Sequence, residues 1–136
     1  MLNYRTAGDE AGYLHLSLLM DDCIARGKAL FEGGVRYENA SSEIFGLISC
    51  ADSLTAIRKY VYEEKRFTLP QLVEMLDKNY EGFEAERQLL LSAPKYGNDD
   101  AYADETAVKL FADIADMTSK HGQEVGLHRY NIVSVN

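Results

Sequence analysis

The residues of this chain that are able to do covalent or metal chemistry are few, and their neighbours decide what each can offer. A cysteine acts as a nucleophile only as its thiolate, which needs a base or a positive microenvironment. There are two cysteines, Cys23 and Cys50. Cys23 falls in an apolar stripe, whereas Cys50 stands between Ser49 and Ala51 near an expected helix start, where the positive end of a helix lowers a thiol pKa. Cys50 is thus the better nucleophile of the two. The tendency of free thiols to be buried nevertheless makes two inert core cysteines the expectation. Two thiols alone build neither a zinc site nor a disulfide framework. His15, His121 and His128 show no ligand spacing.

The acidic run "NDDAYADE", residues 98–105, invites a calcium reading. Counted from Asn98 as an EF-hand loop, the fifth place is Tyr102 and the sixth is Ala103, so the loop lacks a ligand and the required glycine. The expected role of these acids is to cap a helix, where they complement the positive end of its dipole. Gly33-Gly34 lacks the third glycine and the preceding strand of a dinucleotide fingerprint. The remaining acids and bases are scattered, and no general acid–base pair follows from spacing. No catalytic, cofactor-binding or metal-ligating residue is assigned.

The elements that must position these groups read as mainly α-helical. With 46% hydrophobic and 26% charged residues, 136 residues suit one globular domain and argue against disorder. Residues 1–13 read as a polar lead-in. A first helix is expected from Leu14, with Leu16, Met20, Cys23, Gly27 and Leu30 on one stripe. "GGVRYENASSEIFG", residues 33–46, then reads as a loop. A second helix is expected over about 47–64. In the third, "FTLPQLVEMLDKN", Thr68 and Gln71 form a capping box, Pro70 sits in the first turn and Asn79 takes the left-handed exit. Leu69, Leu72, Val73 and Leu76 form its expected buried stripe. A fourth helix spans about 83–91 and stops at Ala93-Pro94.

The fifth helix is expected over roughly 100–120, capped by Asp99 or Asp100, with Ala107, Leu110, Phe111, Ile114 and Met117 facing the core. "SKHGQEVG" reads as a loop. Residues 129–135, "RYNIVSV", alternate like a strand. The helices are expected in an antiparallel or irregular arrangement over 14–120. A lone strand is unstable, and with no second strand in view its partner is expected to come from outside these residues.

Charge limits the partners. The formal net charge of −8, without a basic cluster to offset it, argues against nucleic acid and against anionic membrane surfaces. No apolar run approaches a membrane span, and there is no basic, apolar leader. A reducing cytoplasm is the expected location, so Asn39-Ala40-Ser41 is discounted as a glycosylation site.

One stretch exceeds what a turn needs. "APKYGNDDAYADE", residues 93–105, places Lys95 and Tyr96 between the turn formers and runs directly into acids. It resembles a segment of the glycyl radical enzymes, the family of pyruvate formate-lyase and the related dehydratases, in Pro94 through Asp100, Tyr102 and Asp104. "GGVRYENASSEIFG" is similar to that family's Gly-Gly-x-x-Tyr-Asn stretch. "SCADSLTAIRKYVYEEKRFTLPQLVEMLDKNYEGFEAERQLL", residues 49–90, resembles its Ala-Asp-Ser-Leu-x-Ala-Ile helix and the Leu-Asp-x-Asn-(Tyr or Phe)-Glu-Gly segment that follows. "HRYNIVSV" is a looser match. The resemblance covers roughly Leu16 to Val135. Ala101, where an acid is common, and Gly126-Leu127-His128, where Gly-Gly is usual, depart from the pattern.

The resemblance implies radical lyase or dehydratase chemistry on a small molecule for an intact family member. Its glycyl radical would be installed by an iron–sulfur, S-adenosylmethionine-dependent activating enzyme in an anaerobic cytoplasm. It also implies what is missing. Cys23 follows Asp22 and Cys50 follows Ser49, so neither has the family's Gly-Cys context. Gly12-Tyr13 and Gly82-Phe83 lack the arginine of the family's radical loop, Asp9 and Glu10 standing where Arg and Val belong before Gly12. The thiyl loop is expected to precede this segment and the radical loop to follow it.

The chain is therefore expected to be an internal piece or truncated form of a larger α/β barrel enzyme, inactive alone. Its expected partners are the rest of the enzyme or another copy. The first alternative is a non-enzymatic helical interaction module of the same ancestry, and the last is a small stand-alone enzyme using Cys50. The Lys95–Asn98 turn is expected to fix the angle between two helices, the alternative being contact with the radical loop or the activating partner.

Overall fold

The computed structural model describes residue 6 and residues 12–135, so most of the expected lead-in over 1–13 lies outside the described residues. Backbone contacts divide the chain into two units. Unit 1 holds Met1–Ser42 and Ala115–Val133; unit 2 holds Glu43–Ile114 and Ser134–Asn136.

In unit 1 the expected long first helix is broken. It appears as α1 (Leu14–Leu19), α2 (Cys23–Arg26) and a 3-10 turn (Leu30–Glu32). Asp22 causes the first break: it takes a left-handed conformation (φ 70°), with its carboxylate held by Arg36 at 2.8 Å and Arg26 at 3.0 Å. Gly27 causes the second, also left-handed at φ 60°. The Ser17 hydroxyl then folds the pieces back, donating to the Tyr13 carbonyl and accepting from the Leu30 N–H, both at 2.9 Å. Of the expected stripe only Cys23 is buried, while Leu16 and Met20 are exposed.

The expected loop over 33–46 contains a strand. β1 (Asn39–Phe45) pairs in parallel with β2 (Arg129–Val135), and the His128 N–H donates to the Glu38 carbonyl at 2.8 Å where the ladder begins. The strand over 129–135 is as expected, but its partner comes from within the chain. Asn39, Ser41, Ser42 and Glu43 concealed β1, because a stretch this polar reads as loop even though its exposure alternates residue by residue.

The last helix, α6 (Ala101–Glu124), runs past Lys120 through the expected loop. Gly122 allows this. It is buried against β2, and a Cβ there would stand 2.6 Å from the Cβ of Tyr130.

Unit 2 is built from α3 (Leu47–Ile57), a π-helical segment (Arg58–Glu63), α4 (Leu69–Asp77), α5 (Glu84–Leu91) and the first part of α6. Among the described residues there are six α-helices rather than five, and the mainly α expectation holds. The core joins Ala56, Tyr60, Val61, Phe67, Leu72, Met75 and Ala93, with Phe83, Leu89 and Leu90 packed against it. The capping box forms as expected: the Thr68 N–H donates to Gln71 Oε1 at 2.8 Å, and Asn79 turns left-handed at φ 49°. The buried stripe of α4 differs. Leu72 is buried with Met75, whereas Leu69, Val73 and Leu76 are exposed. On α6 the small residues Ala103 and Ala107 are buried, and Phe111 and Met117 are exposed, because close packing favours the side chains with least bulk.

Candidate functional site

Pro94–Asp100 is a turn whose backbone donors are taken by carboxylates from two helices. Asp52, on α3, accepts the Tyr96 N–H at 2.9 Å. Asp104, on the first turn of α6, accepts the Gly97 N–H at 3.1 Å. Gly97 and Asp99 are left-handed, at φ 82° and 58°. Asp100 then caps α6: its side chain accepts the Tyr102 N–H at 3.0 Å, and its carbonyl accepts from Ala103 and Asp104. Lys95 has its own task, donating to the carbonyls of Ala93 at 2.7 Å and Leu91 at 3.2 Å at the negative end of α5. Lys95, Asp100 and Asp104 of the motif thus spend their polar groups on backbone. The expected capping role of the acids is met, and the two helices are tied at one turn.

A second constellation lies beside it. The Tyr102 hydroxyl donates to Glu63 Oε2 at 2.8 Å, Arg58 Nε donates to Glu63 Oε1 at 2.9 Å, and the Arg58 guanidinium lies 4.3 Å from the centre of the Tyr102 ring. Loss of hydration, reinforced by the bond to Glu63, pushes the Tyr102 phenol up to about 12. The hydroxyl bond of Tyr102, followed by the Arg58 guanidinium, holds the Glu63 carboxyl below its ordinary value. A phenol held this firmly protonated is a donor, not a base.

The sequence-level candidates are placed apart. Cys23 is buried in unit 1, its sulfur 2.9 Å from where a Cβ on Gly34 would stand. Cys50, on α3 of unit 2, is exposed, which corrects the expectation of two buried thiols: the buried face of α3 is made by Leu47, Ala51, Thr55 and Ala56. Gly12 and Cys23 border one cleft of about 420 Å³ in unit 1 with Leu14, Leu18 and Ile24. His121 pairs with Glu124 at 3.0 Å, and the His128 ring lies tilted by 44° against Tyr37 with ring centres 4.6 Å apart. Among the described residues no three His, Cys, Asp or Glu are grouped to hold a metal ion, and no helix is long and apolar enough to cross a membrane.

Asp52, Arg58 and Glu63 were not singled out by spacing. Asp52 and Tyr96 lie 44 residues apart, and only the three-dimensional turn brings them together. Unit 2 also has an apolar cleft of about 330 Å³, lined by Ala56, Ile57, Leu72, Leu76 and Leu90, with Arg87 at its edge.

Comparison with known proteins places this geometry. The family profile described as pyruvate formate lyase-like matches residues 9–135. Trans-4-hydroxy-L-proline dehydratase of Clostridioides difficile is 43% identical over 97 residues, which are 71% of this chain and 12% of that protein. Isethionate sulfite-lyase of Bilophila wadsworthia is 45% identical over 86 residues, 63% of this chain and 10% of its own. The crystal structure of the Clostridioides difficile hydroxyproline dehydratase with its substrate bound superposes with a TM-score of 0.86 at 33% identity, covering 97% of this chain and 17% of that one. The chain thus spans about an eighth of the length of the curated relatives it matches.

Proposed function

We infer that this chain, which belongs to the pyruvate formate lyase-like family, is a scaffold part of a glycyl radical lyase or dehydratase and carries no member of the hydrogen-atom relay itself. The carrying observation is that nearly the whole chain superposes on 17% of the hydroxyproline dehydratase structure, while neither of its cysteines follows a glycine. The residues present do not fit a glycyl–thiyl pair. Cys50 stands exposed on a helix, and nothing lies within 4 Å of where a Cβ on Gly82 would stand. Such a pair needs enclosure that excludes water. Its chemistry, on a small-molecule substrate, belongs to other residues of the intact enzyme. An iron–sulfur, S-adenosylmethionine-dependent activating enzyme in an anaerobic cytoplasm is the accompanying partner.

The exposed apolar side chains support this reading. Leu69, Val73 and Leu76 on α4 and Val108 and Phe111 on α6 are spread over helix faces that a self-sufficient domain would bury. The same faces support a second reading, a non-enzymatic module that docks on a protein partner. Anaerobic incubation of the purified chain with an activating enzyme of the family and S-adenosylmethionine, followed by electron paramagnetic resonance, tests the main reading. No carbon-centred signal is expected. A glycyl radical doublet from this chain would overturn it.

A further inference from the structure

The π-helical segment Arg58–Glu63 interrupts what would otherwise be one continuous α-helix from Leu47. Neither proline nor glycine lies within it to force the change. Its signature is a backbone bond over five residues, from the Glu64 N–H to the Lys59 carbonyl at 2.8 Å; a bond over six residues, from the Arg66 N–H to the Tyr60 carbonyl at 2.8 Å, closes its end.

The segment brings together side chains that an α-helix would separate. Residues five apart stand about 140° apart around an α-helical axis. A backbone bonded over five residues instead returns them to the same side. Arg58 and Glu63 are five apart and are joined at 2.9 Å. The Tyr102 hydroxyl, from the first turn of α6, closes on the same carboxylate at 2.8 Å, and the Arg58 guanidinium covers the Tyr102 ring. The other charged side chains on this segment and its flank are Lys59, Glu64, Lys65 and Arg66. The same register buries Tyr60 and Val61, two consecutive residues, in the unit 2 core.

We propose that Arg58, Glu63 and Tyr102 form a latch that selects the π register of residues 58–63, so that opening it lets this segment relax by one residue to an α-helix. Tyr102 follows the Pro94–Asp100 turn by two residues, and the latch therefore couples the start of α6 to the register of the segment that continues α3. Arg58 and Glu63 are positioning residues, and Tyr102 is the bolt.

Amide hydrogen exchange on the purified chain tests this. In Tyr102→Phe, which removes one oxygen, the Glu64 and Arg66 amides are expected to exchange about tenfold faster, as loss of one hydrogen bond to a charged group implies. The Met75 amide, in the middle of α4, is expected to keep its wild-type rate. Unchanged exchange at Glu64 and Arg66 would overturn the proposal, and so would acceleration at all three amides alike. Glu63→Gln supplies a second readout if Tyr102→Phe fails to fold. Difference absorbance of the phenolate is expected to show one tyrosine titrating lower than in the parent, together with faster Glu64 exchange. A titration that shifts while Glu64 stays protected would leave a bond without a register role, and the latch would be refuted.

Discussion

Gly122→Ala sets two physical effects against each other, and the structure decides the sign. In an exposed helix interior the change is stabilising, because alanine loses less backbone entropy on folding, by about 1 kcal/mol. Gly122 is in the last full turn of α6, so the helix term alone favours alanine. The new methyl, however, would lie 2.6 Å from the Cβ of Tyr130 and 3.5 Å from two of its ring carbons. A Cβ is fixed to the backbone and cannot rotate away, so relief requires β2 and α6 to separate by nearly an ångström. Overpacking of this kind costs about 1–3 kcal/mol. That separation would also strain the ladder that His128 begins with Glu38. The net expectation is destabilisation by up to about 2 kcal/mol, or a fall in Tm of up to about 7 °C for a chain of this size. Urea and thermal unfolding followed by circular dichroism read it directly. Ala112→Gly, at an exposed site of the same helix, serves as the control and is expected to lose about 1 kcal/mol from propensity alone. A Tm for Gly122→Ala at or above the parent would refute the close approach of α6 and β2.

Other expectations follow from local geometry. Thr68→Ala removes the acceptor of the Gln71 N–H and should cost about 1 kcal/mol in urea unfolding, with Thr68→Ser recovering most of it. Asp22 is held below its ordinary carboxylate value chiefly by the Arg36 hydrogen bond. Its folded pKa is depressed, so its contribution is present above pH 3.8 and lost as pH falls through the folded value; Asp22→Asn should flatten the stability profile in that window. A thiol reagent applied to the folded chain should modify Cys50 quickly and Cys23 only on unfolding, so Cys50→Ser should abolish the fast phase in absorbance.

What the sequence made legible was local. The Thr68–Gln71 box and the left-handed Asn79 are short-range devices, readable because donor and acceptor lie within four residues. The stop at Ala93-Pro94 and the strand over 129–135 are of the same kind. β1 was hidden by its polar composition, and the break at Asp22 by a pairing with Arg36 fourteen residues on. Periodicity chose the bulky side chains of α4 and α6 as core. The packed faces use Ala103 and Met75, which a hydrophobicity pattern ranks below Leu and Phe, beside Leu72 and Ala107, the expected residues of these helices that are buried. The turn at Pro94–Asp100 was visible as a motif before its purpose was. Its unexplained lysine proved to be a cap on α5, and its acids serve amides rather than a metal.

The pairing that starts between Glu38 and His128 joins points ninety residues apart. Closing so long a loop costs entropy that local helices do not incur, so strand union is a late event in assembly. During synthesis β1 leaves the ribosome ahead of its partner and waits until residues 129–135 have been made. A chaperone that shields polar strand edges would therefore act on residues 39–45, and a nascent chain stalled before residue 129 would offer that edge to its neighbours.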